Sequence, residues 1–218
     1  MGMHRACPEA KIVGVDWVDQ PRYPFAFRIA NALTYPLEGF DFIWASPPCQ
    51  RYCRVWRGQE QRRPLYSDLI PAVRERLSVY PFTVIENVPG APLRVDAVLT
   101  GSQFDLDIVR TRIFEIKGFA VPFQLVRQHA RTVTSGGLAC VSGHGCNNAW
   151  NLRRARDRCK WRDLPDDLKR KLRERNSVAG WRAAMGIDWM SQKELSQAVP
   201  PAYSFFIMKQ FLASWRKK

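Results

Sequence analysis

Residues 40–50 read Phe-Asp-Phe-Ile-Trp-Ala-Ser-Pro-Pro-Cys-Gln, an apolar run that ends in a turn stiffened by two prolines. Residues 81–90 read Pro-Phe-Thr-Val-Ile-Glu-Asn-Val-Pro-Gly, which is again an apolar run followed by turn residues. Short apolar runs bounded by turn residues are typical of buried parallel strands. Between the two runs, residues 67–80 carry apolar side chains at helical spacing: Leu69, Ile70, Val73 and Leu77. Strand, helix and strand in this order predict a βαβ unit and therefore an α/β fold.

Segments on either side of this unit extend the prediction. An apolar run that ends in an acid predicts a strand over 11–16, and another strand is predicted over 112–116. A helix is expected from about Asp163, with Pro165 in its first turn. The aromatic-rich residues 202–218 are consistent with a helix docked on the core.

Size and charge restrict the class of protein. The chain has 218 residues, of which 46% are hydrophobic, enough for one modest domain with a buried core. Its 34 Lys and Arg against 20 Asp and Glu give a net charge of +14, which favours a polyanionic partner such as nucleic acid. No stretch approaches the roughly 20 apolar residues of a membrane span, and the N-terminus lacks a signal-like apolar region. We therefore expect a cytoplasmic protein with no membrane partner.

The cysteines are expected to be reduced thiols rather than a disulfide framework. In the middle of the chain a zinc site could draw on Cys140, Cys146, Cys159, His129 and His144. Their intervals do not match the usual paired spacing of zinc ligands, so no metal is predicted.

One cysteine and one acid are placed for chemistry. Cys49 follows the first strand of the βαβ unit, and Glu86 ends the second. Adjacent parallel strands lie about 4.8 Å apart, so both loops can face one pocket. A thiolate beside a carboxyl group suits addition to an electron-poor pyrimidine, with the acid dispersing the developing charge. This requires a lowered pKa at Cys49 and a raised one at Glu86.

Four short motifs occur in order along the chain: Pro47-Pro48-Cys49-Gln50, Glu86-Asn87-Val88, Arg110-Thr111-Arg112 and Gln197-Ala198-Val199-Pro200-Pro201. They resemble, in the same order, the nucleophile motif, the ENV motif, the Arg-x-Arg element and the C-terminal closing motif of the DNA cytosine-C5 methyltransferases. The order and spacing of the four together are far more specific than any one of them.

The resemblance implies a role for each catalytic residue. Cys49 would attack C6 of cytosine, and Glu86 would hydrogen-bond or protonate N3. Arg110 and Arg112 would orient the base and its phosphate, and Asn87 would brace the loop that carries Glu86. Before this can happen, the base must leave the duplex stack.

The resemblance also implies S-adenosylmethionine as cofactor. Asp16 matches the acid that accepts hydrogen bonds from the ribose hydroxyls, and Trp17 matches the residue that packs on the adenine. Asn31 matches an acceptor for the adenine amino group, and Pro48 would touch the cofactor. The closing motif would complete the pocket with three residues: Gln197, Ala198 and Val199.

The implied fold is a Rossmann-like S-adenosylmethionine methyltransferase sheet with a small target-recognition lobe. Residues 1–117 would form the catalytic α/β core, 118–180 the target-recognition region, and 181–218 a segment that closes the core. Residues 151–175 hold eleven Lys or Arg against five Asp or Glu, which suits contact with phosphates of double-stranded DNA. We expect a small enzyme of phage or bacterial type, as in restriction-modification.

The sequence departs from the family most strongly at its front. The family starts with a strand and a Phe-x-Gly-x-Gly loop, whereas residues 1–6 resemble the helix that follows that loop. The absent strand would lie between the strands that end at Asp16 and Ala45, so its loss would expose two sheet edges. A misplaced start codon, a second polypeptide that supplies the piece, or a non-catalytic DNA-binding relic would each account for this.

Smaller departures and a further alternative remain. Ile108 stands where the family usually has glutamine, and Ser196-Gln197 stands where many members have Gly-Asn. A tRNA cytosine-C5 methyltransferase is the other enzymatic alternative, because one branch of the family uses the same motifs on RNA.

Overall fold

The computed structural model describes residues 1–53, 66–108, 110–122, 165–175 and 177–216. The strands are β1 (Val13–Asp16), β2 (Ala26–Ile29), β3 (Ile43–Ala45), β4 (Thr83–Asn87), β5 (Ala97–Leu99) and β6 (Arg112–Lys117). The helices are α1 (Gly2–Ala6), α2 (Ile70–Leu77), α3 (Asp166–Arg175), α4 (Val178–Met185), α5 (Gln192–Gln197) and α6 (Pro201–Trp215). Short 3-10 turns cover Gln50–Tyr52 and Gly101–Phe104. The chain therefore has a mixed α/β fold.

The larger sheet has the strand order β3-β4-β6-β5. β3 and β4 are parallel, with Ala45 opposite Ile85, and α2 lies between them in the chain. β6 runs antiparallel to both β4 and β5. The predicted βαβ unit is thus confirmed, with elements somewhat shorter than the sequence patterns indicated.

The two faces of the larger sheet are covered by different helices. Every residue of β4 is buried, and successive side chains of a strand point to opposite faces. Val84 belongs to a cluster with Tyr203 and Ile207 of α6. Its neighbour Ile85 belongs to a cluster with Ile70 and Leu77 of α2. Each such large side chain contributes about 1.5–3 kcal/mol when fully buried, so β4 is the centre of the core.

The N-terminal helix closes against the C-terminal one. A Cβ atom at Gly2 would lie 2.0 Å from the carbonyl oxygen of Pro201, so only glycine allows this approach. Next to it, Cys7 and Phe82 pack in one cluster with Phe211. Residues near the two ends of the chain therefore share one core, and the docked C-terminal helix expected over 202–218 is confirmed by α6.

β1 and β2 form a second, parallel sheet of their own. Among the described residues, β1 pairs with β2 alone, and β3 pairs with β4 alone. The strands that end at Asp16 and Ala45, which the resemblance places on either side of an additional strand, thus lie in different sheets. Each leaves one edge without a strand partner in the described part of the chain.

The helices after residue 165 carry clear end signals. Ser177 caps α4 by accepting a hydrogen bond from the Gly180 N–H, and Gly186, at φ 65°, ends that helix. Ser191 and Glu194 form a capping box at the start of α5. α4 and α5 pack together through Trp181 and Leu195.

Several predictions concern residues outside the described part. Most of the target-recognition region, including the basic residues 151–164, falls there, as do the five Cys and His residues considered for zinc. The helix expected from about Asp163 is seen as α3, which begins at Asp166. In the described residues, no helix is both long enough and apolar enough to span a bilayer.

Candidate active site

Two loops leave the larger sheet at the same edge. β3 ends at Ala45 and leads into Ser46–Cys49, while its parallel neighbour β4 ends with Glu86 and Asn87. Because Ala45 lies opposite Ile85, the two carboxyl ends are level. The structure therefore brings the loop of Cys49 next to Glu86, as the strand pattern indicated.

Asn87 ties these loops together. Its side-chain amide donates to the carbonyl oxygen of Pro47 at 3.0 Å, and its Oδ1 accepts from the Val88 N–H at 2.9 Å. The side chain is almost completely buried, with 1% of its surface exposed. Gly90, at φ 102°, takes the left-handed conformation in the turn that follows. A buried hydrogen bond of this kind fixes the spacing of the two loops.

Glu86 is a buried acid with a basic partner. It is 6% exposed, and its Oε1 lies 2.9 Å from Nε of Arg112. Burial raises the pKa of Glu86 above its ordinary value, although Arg112 and a hydrogen bond with the Ser46 side chain oppose the rise. The Ser46 hydroxyl is itself held by Nε1 of Trp44 at 3.0 Å. Glu86 can therefore hold a proton at a higher pH than an exposed carboxyl group can.

Cys49 is a half-buried thiol whose pKa is lowered, in contrast to that of Glu86. A hydrogen bond from the Cys53 thiol, with 3.8 Å between the sulfur atoms, is the main cause that lowers the pKa of Cys49 to about 6. The Arg112 charge acts in the same direction, whereas burial and the Glu86 charge oppose it. Cys49 is consequently a thiolate near neutral pH, the form that acts as a nucleophile.

The two arginines of the Arg-x-Arg element have different surroundings. Arg112 faces Glu86, whereas Arg110 is 4% exposed and donates to backbone oxygens of Ala198 at 2.7 Å and Ser196 at 2.8 Å. Burial lowers the pKa of Arg110 to about 9. The hydroxyl of Tyr203 donates to the Arg110 carbonyl oxygen at 2.8 Å. Arg110 thus joins the closing segment to the edge of the site, and its guanidinium is engaged by backbone carbonyls.

The residues assigned to the cofactor lie on the smaller sheet. Asp16 ends β1, and Asn31 follows β2, the parallel neighbour. Each side chain accepts a hydrogen bond within its own turn: Asp16 from the Val18 N–H at 3.0 Å, and Asn31 from the Leu33 N–H at 2.9 Å. Trp17 is 79% exposed. The turns thus present carboxylate and amide oxygens beside an open indole face.

The other positions assigned to the cofactor lie nearer the catalytic loops. Pro48 is exposed beside Cys49, whereas Pro47 is buried. Gln197 ends α5, and Ala198 and Val199 follow it in the segment that Arg110 binds. Val199 also packs on the cluster around Phe114, so this segment is fastened to the larger sheet.

Two residues of the site were missed by the sequence analysis. Cys53 stands four residues after Cys49, a spacing of about one helical turn that could have indicated contact between the thiols. Ser46 belongs to the quoted motif region, but nothing in its sequence context shows that it bonds Glu86. Among the described residues, no cluster of three or more His, Cys, Asp or Glu side chains could hold a metal ion.

Comparison with solved structures finds a similar fold. The crystal structure of the S. pombe Dnmt2 methyltransferase matches with a TM-score of 0.53, over 97% of this chain and 95% of that one, at 14% sequence identity. No family model matches this chain, and no curated protein matches it. At this identity the likeness concerns the fold alone, and it confirms the predicted Rossmann-like α/β architecture.

Proposed function

We propose that this chain transfers a methyl group from S-adenosylmethionine to C5 of cytosine in DNA, through a covalent bond between Cys49 and C6. The observation that carries the proposal is the pairing of a thiolate and a protonatable acid at one sheet edge. Cys49 has its pKa lowered, Glu86 has its pKa raised, and Asn87 ties their loops together. The methyltransferase-like fold supports the same reaction class.

The two shifts suit the two halves of a conjugate addition. The Cys49 thiolate forms a bond to C6, and the electrons of the C5–C6 double bond move through the ring towards N3. Protonated Glu86 would donate to N3 and neutralise this charge. C5 would then take the methyl group, with S-adenosylhomocysteine as the second product. Glu86 takes back the N3 proton, and loss of the C5 proton to water with expulsion of the Cys49 thiolate restores the ring. Arg112, 2.9 Å from Glu86, keeps that acid from being an isolated buried charge when it is deprotonated.

The smaller sheet supplies groups that fit the proposed cofactor. S-adenosylmethionine carries an electrophilic methyl group, which is the chemistry that the chain's own side chains lack. Asp16 and Asn31 offer oxygen acceptors for ribose hydroxyls and the adenine amino group, and exposed Trp17 offers a face for the adenine ring. On the catalytic side, Pro48 and the segment Gln197–Val199 would complete the pocket.

The charge of the chain supports a nucleic acid as substrate. The net charge of +14 favours phosphate binding, and the exposed basic side chains of α3 include Arg170, Lys171 and Arg173. Extruding a base from a duplex costs a few kcal/mol, which such contacts would offset. Competition between duplex DNA and tRNA for binding and methylation tests the choice of DNA. Preferential methylation of tRNA would replace DNA as the substrate and leave the chemistry unchanged.

The decisive experiment removes the nucleophile. Cys49→Ala is expected to lower methyl transfer by at least about a thousandfold while DNA affinity stays the same. DNA that contains 5-fluorocytosine should become covalently attached to the wild type when the cofactor is present, because fluorine cannot leave as the C5 proton does. Cys7→Ala removes a thiol elsewhere and should trap as the wild type does. An active Cys49→Ala variant contradicts the proposal.

The separation of β1 from β3 favours a second arrangement, in which another polypeptide supplies a strand between them. The groups proposed for the cofactor would then be complete only in the complex. Calorimetry of S-adenosylmethionine binding distinguishes the cases. Binding by this chain alone contradicts the split arrangement. Binding that appears only when a strand and glycine-rich loop are added as a separate polypeptide supports it, whereas restoration only by a fused N-terminal extension favours a misplaced start codon. No binding in either state favours a non-catalytic DNA-binding protein.

A further inference from the structure

Cys53 lies against the proposed nucleophile. The 3-10 turn Gln50–Tyr52 separates the two cysteines, and the Tyr52 N–H donates to the Cys49 carbonyl oxygen at 3.0 Å. This turn brings the sulfur atoms to 3.8 Å, with the Cys53 thiol as the donor. Both side chains are half-buried, so water competes only in part with the hydrogen bond between the two sulfur atoms.

Without a donor such as Cys53, the surroundings of Cys49 would favour its neutral thiol. Burial and the Glu86 charge both favour the neutral thiol at Cys49. Arg112 favours the thiolate, but its guanidinium is already paired with Glu86 at 2.9 Å. The Cys53 thiol and the backbone N–H of Cys49 are the other groups that favour the thiolate. Of all these influences, the hydrogen bond from Cys53 is the largest.

We propose that Cys53 is a positioning residue for the reaction of Cys49: its S–H donates to the Cys49 sulfur and holds the nucleophile as a thiolate in a fixed rotamer. This inference rests on the proposed function of Cys49. Cys49 is the deprotonated member of the pair, and Cys53 keeps its proton. The retained proton agrees with the pKa of Cys53, which the Cys49 sulfur and burial raise well above its ordinary range.

A neutral donor has an advantage over a second cation at this position. The proposed reaction needs a deprotonated Cys49 and a protonated Glu86 at the same pH. Any added positive charge would favour the thiolate, but it would also favour ionised Glu86, as Arg112 and Arg110 already do. A thiol donor stabilises the sulfur anion through a short-range contact and adds no net charge. Cys53 can therefore lower one pKa without lowering the other.

The test measures the pH dependence of Cys49 alkylation by iodoacetamide. Arg51 lies between the cysteines, so trypsin releases them in separate peptides that mass spectrometry can follow independently. In the wild type, the midpoint is expected at about pH 6. In Cys53→Ala it should rise by about one unit or more, whereas Cys53→Ser, which keeps a donor, should stay closer to the wild type. The midpoint, rather than the rate at one pH, is the readout, because a thiolate of higher pKa is intrinsically more nucleophilic.

Controls separate a specific donor from a general effect on folding. Cys7→Ala removes a buried thiol from another cluster and should leave the Cys49 midpoint unchanged. The reciprocal variant, Cys49→Ala, should lower the pKa of Cys53, because the hydrogen bond to Cys49 is the main cause of its rise. Circular dichroism of each variant checks that the fold persists. An unchanged midpoint in Cys53→Ala, or equal shifts in the alanine and serine variants, overturns the inference.

The alkylation measurement needs neither DNA nor cofactor, so it is independent of methyl transfer. A shifted midpoint in a protein that methylates nothing, even with the strand and glycine-rich loop added, supports the thiol pair and contradicts the proposed function. An unshifted midpoint in a protein that loses methyl transfer with Cys49→Ala supports the function and contradicts the role of Cys53. If both proposals hold, Cys53→Ala should also move the acidic limb of the pH–rate profile of methyl transfer upwards, and Cys53→Ser should restore it.

Discussion

The two sheets hold their side chains in different ways. At the edge of the larger sheet, Glu86 and Asn87 are buried and bonded to residues from other segments of the chain: Arg112 and Pro47. At the edge of the smaller sheet, Asp16 accepts from the Val18 N–H and from the Gln20 side-chain amide, and Asn31 accepts from the Leu33 N–H, so these partners lie within four residues. The proposed catalytic groups are thus held by contacts between distant segments of the chain, whereas the groups proposed for the cofactor are held by local turns.

This difference has an energetic consequence. Interactions in a buried network are strengthened by the low local dielectric, and breaking one partner leaves the other unsatisfied. Exposed turn residues can bond water instead, so losing them costs little stability. We therefore expect substitutions at the larger sheet to affect both folding and reaction, and substitutions at the smaller sheet to affect ligand binding alone.

Replacing Arg112 should have the largest effect on stability. Arg112→Ala leaves Glu86 as a buried acid without its partner, a change that typically costs about 3–5 kcal/mol. The same variant should raise the pKa of Cys49, which Arg112 helps to lower. Urea denaturation measures the first effect and the alkylation profile the second. Arg94→Ala breaks the more exposed pair with Asp96 and should cost no more than about 1 kcal/mol. Equal losses in the two variants would contradict the comparison.

Replacing Asn87 should have an intermediate effect. Asn87→Ala removes the bond to Pro47 and leaves a buried carbonyl oxygen without that donor, which costs about 1–3 kcal/mol. Methyl transfer should fall with it, because the loops of Cys49 and Glu86 lose their common tie. Asn31→Ala is the matched variant on the smaller sheet and should change the free energy of unfolding by less than about 1 kcal/mol. A larger loss of stability in Asn31→Ala than in Asn87→Ala would contradict the difference proposed between the two sheets.

Replacing Glu86 should change the pH dependence of stability. Because the pKa of Glu86 is raised in the folded protein, its contribution is complete below the unfolded value of 4.5 and is lost as the pH rises through the folded value. Glu86→Gln cannot titrate. The wild type should therefore lose stability relative to Glu86→Gln as the pH rises above 4.5. Denaturation across this range measures the difference, and parallel curves would show that burial does not shift the acid.

Replacing Trp17 should have the smallest effect on stability. The side chain is 79% exposed, so Trp17→Ala should change the free energy of unfolding by less than about 0.5 kcal/mol. Affinity for S-adenosylmethionine should fall about tenfold through the lost stacking on adenine. Calorimetry gives the affinity, and Val18→Ala, also exposed and adjacent, serves as the control. Unchanged affinity in Trp17→Ala would remove Trp17 from the proposed cofactor site.

The central βαβ unit was predictable because its residues obey local rules. Continuous apolar runs that end in proline or glycine define β3 and β4, and regular helical spacing defines α2. β2 was missed because Ala26–Ile29 is short and largely exposed, and Arg28 interrupts its apolar residues. β5 has only three residues, and its place in the sheet depends on pairing with β6. Such pairing is a tertiary property that no short window of sequence contains.

The candidate site divides in the same way. The sequence could predict that Cys49 and Glu86 lie close together, because neighbouring parallel strands have their carboxyl ends side by side. The partners of Arg110 could not, because the carbonyl oxygens of Ser196 and Ala198 belong to a loop far along the chain. A carbonyl oxygen is the same in every residue, so sequence carries no mark of which one an arginine will bind. The separation of the two sheets was also a matter of long-range assembly rather than of local pattern.

The bonds of Arg110 also set the order in which the protein can mature. Its guanidinium partners and the hydroxyl of Tyr203 lie 86 to 93 residues further along the chain. A ribosome releases the chain from its N-terminus, so the loops of Cys49 and Glu86 emerge well before the segment that Arg110 holds. In the nascent protein the Cys49 thiol and its partners Cys53 and Arg112 are therefore present before the segment that Arg110 binds has emerged.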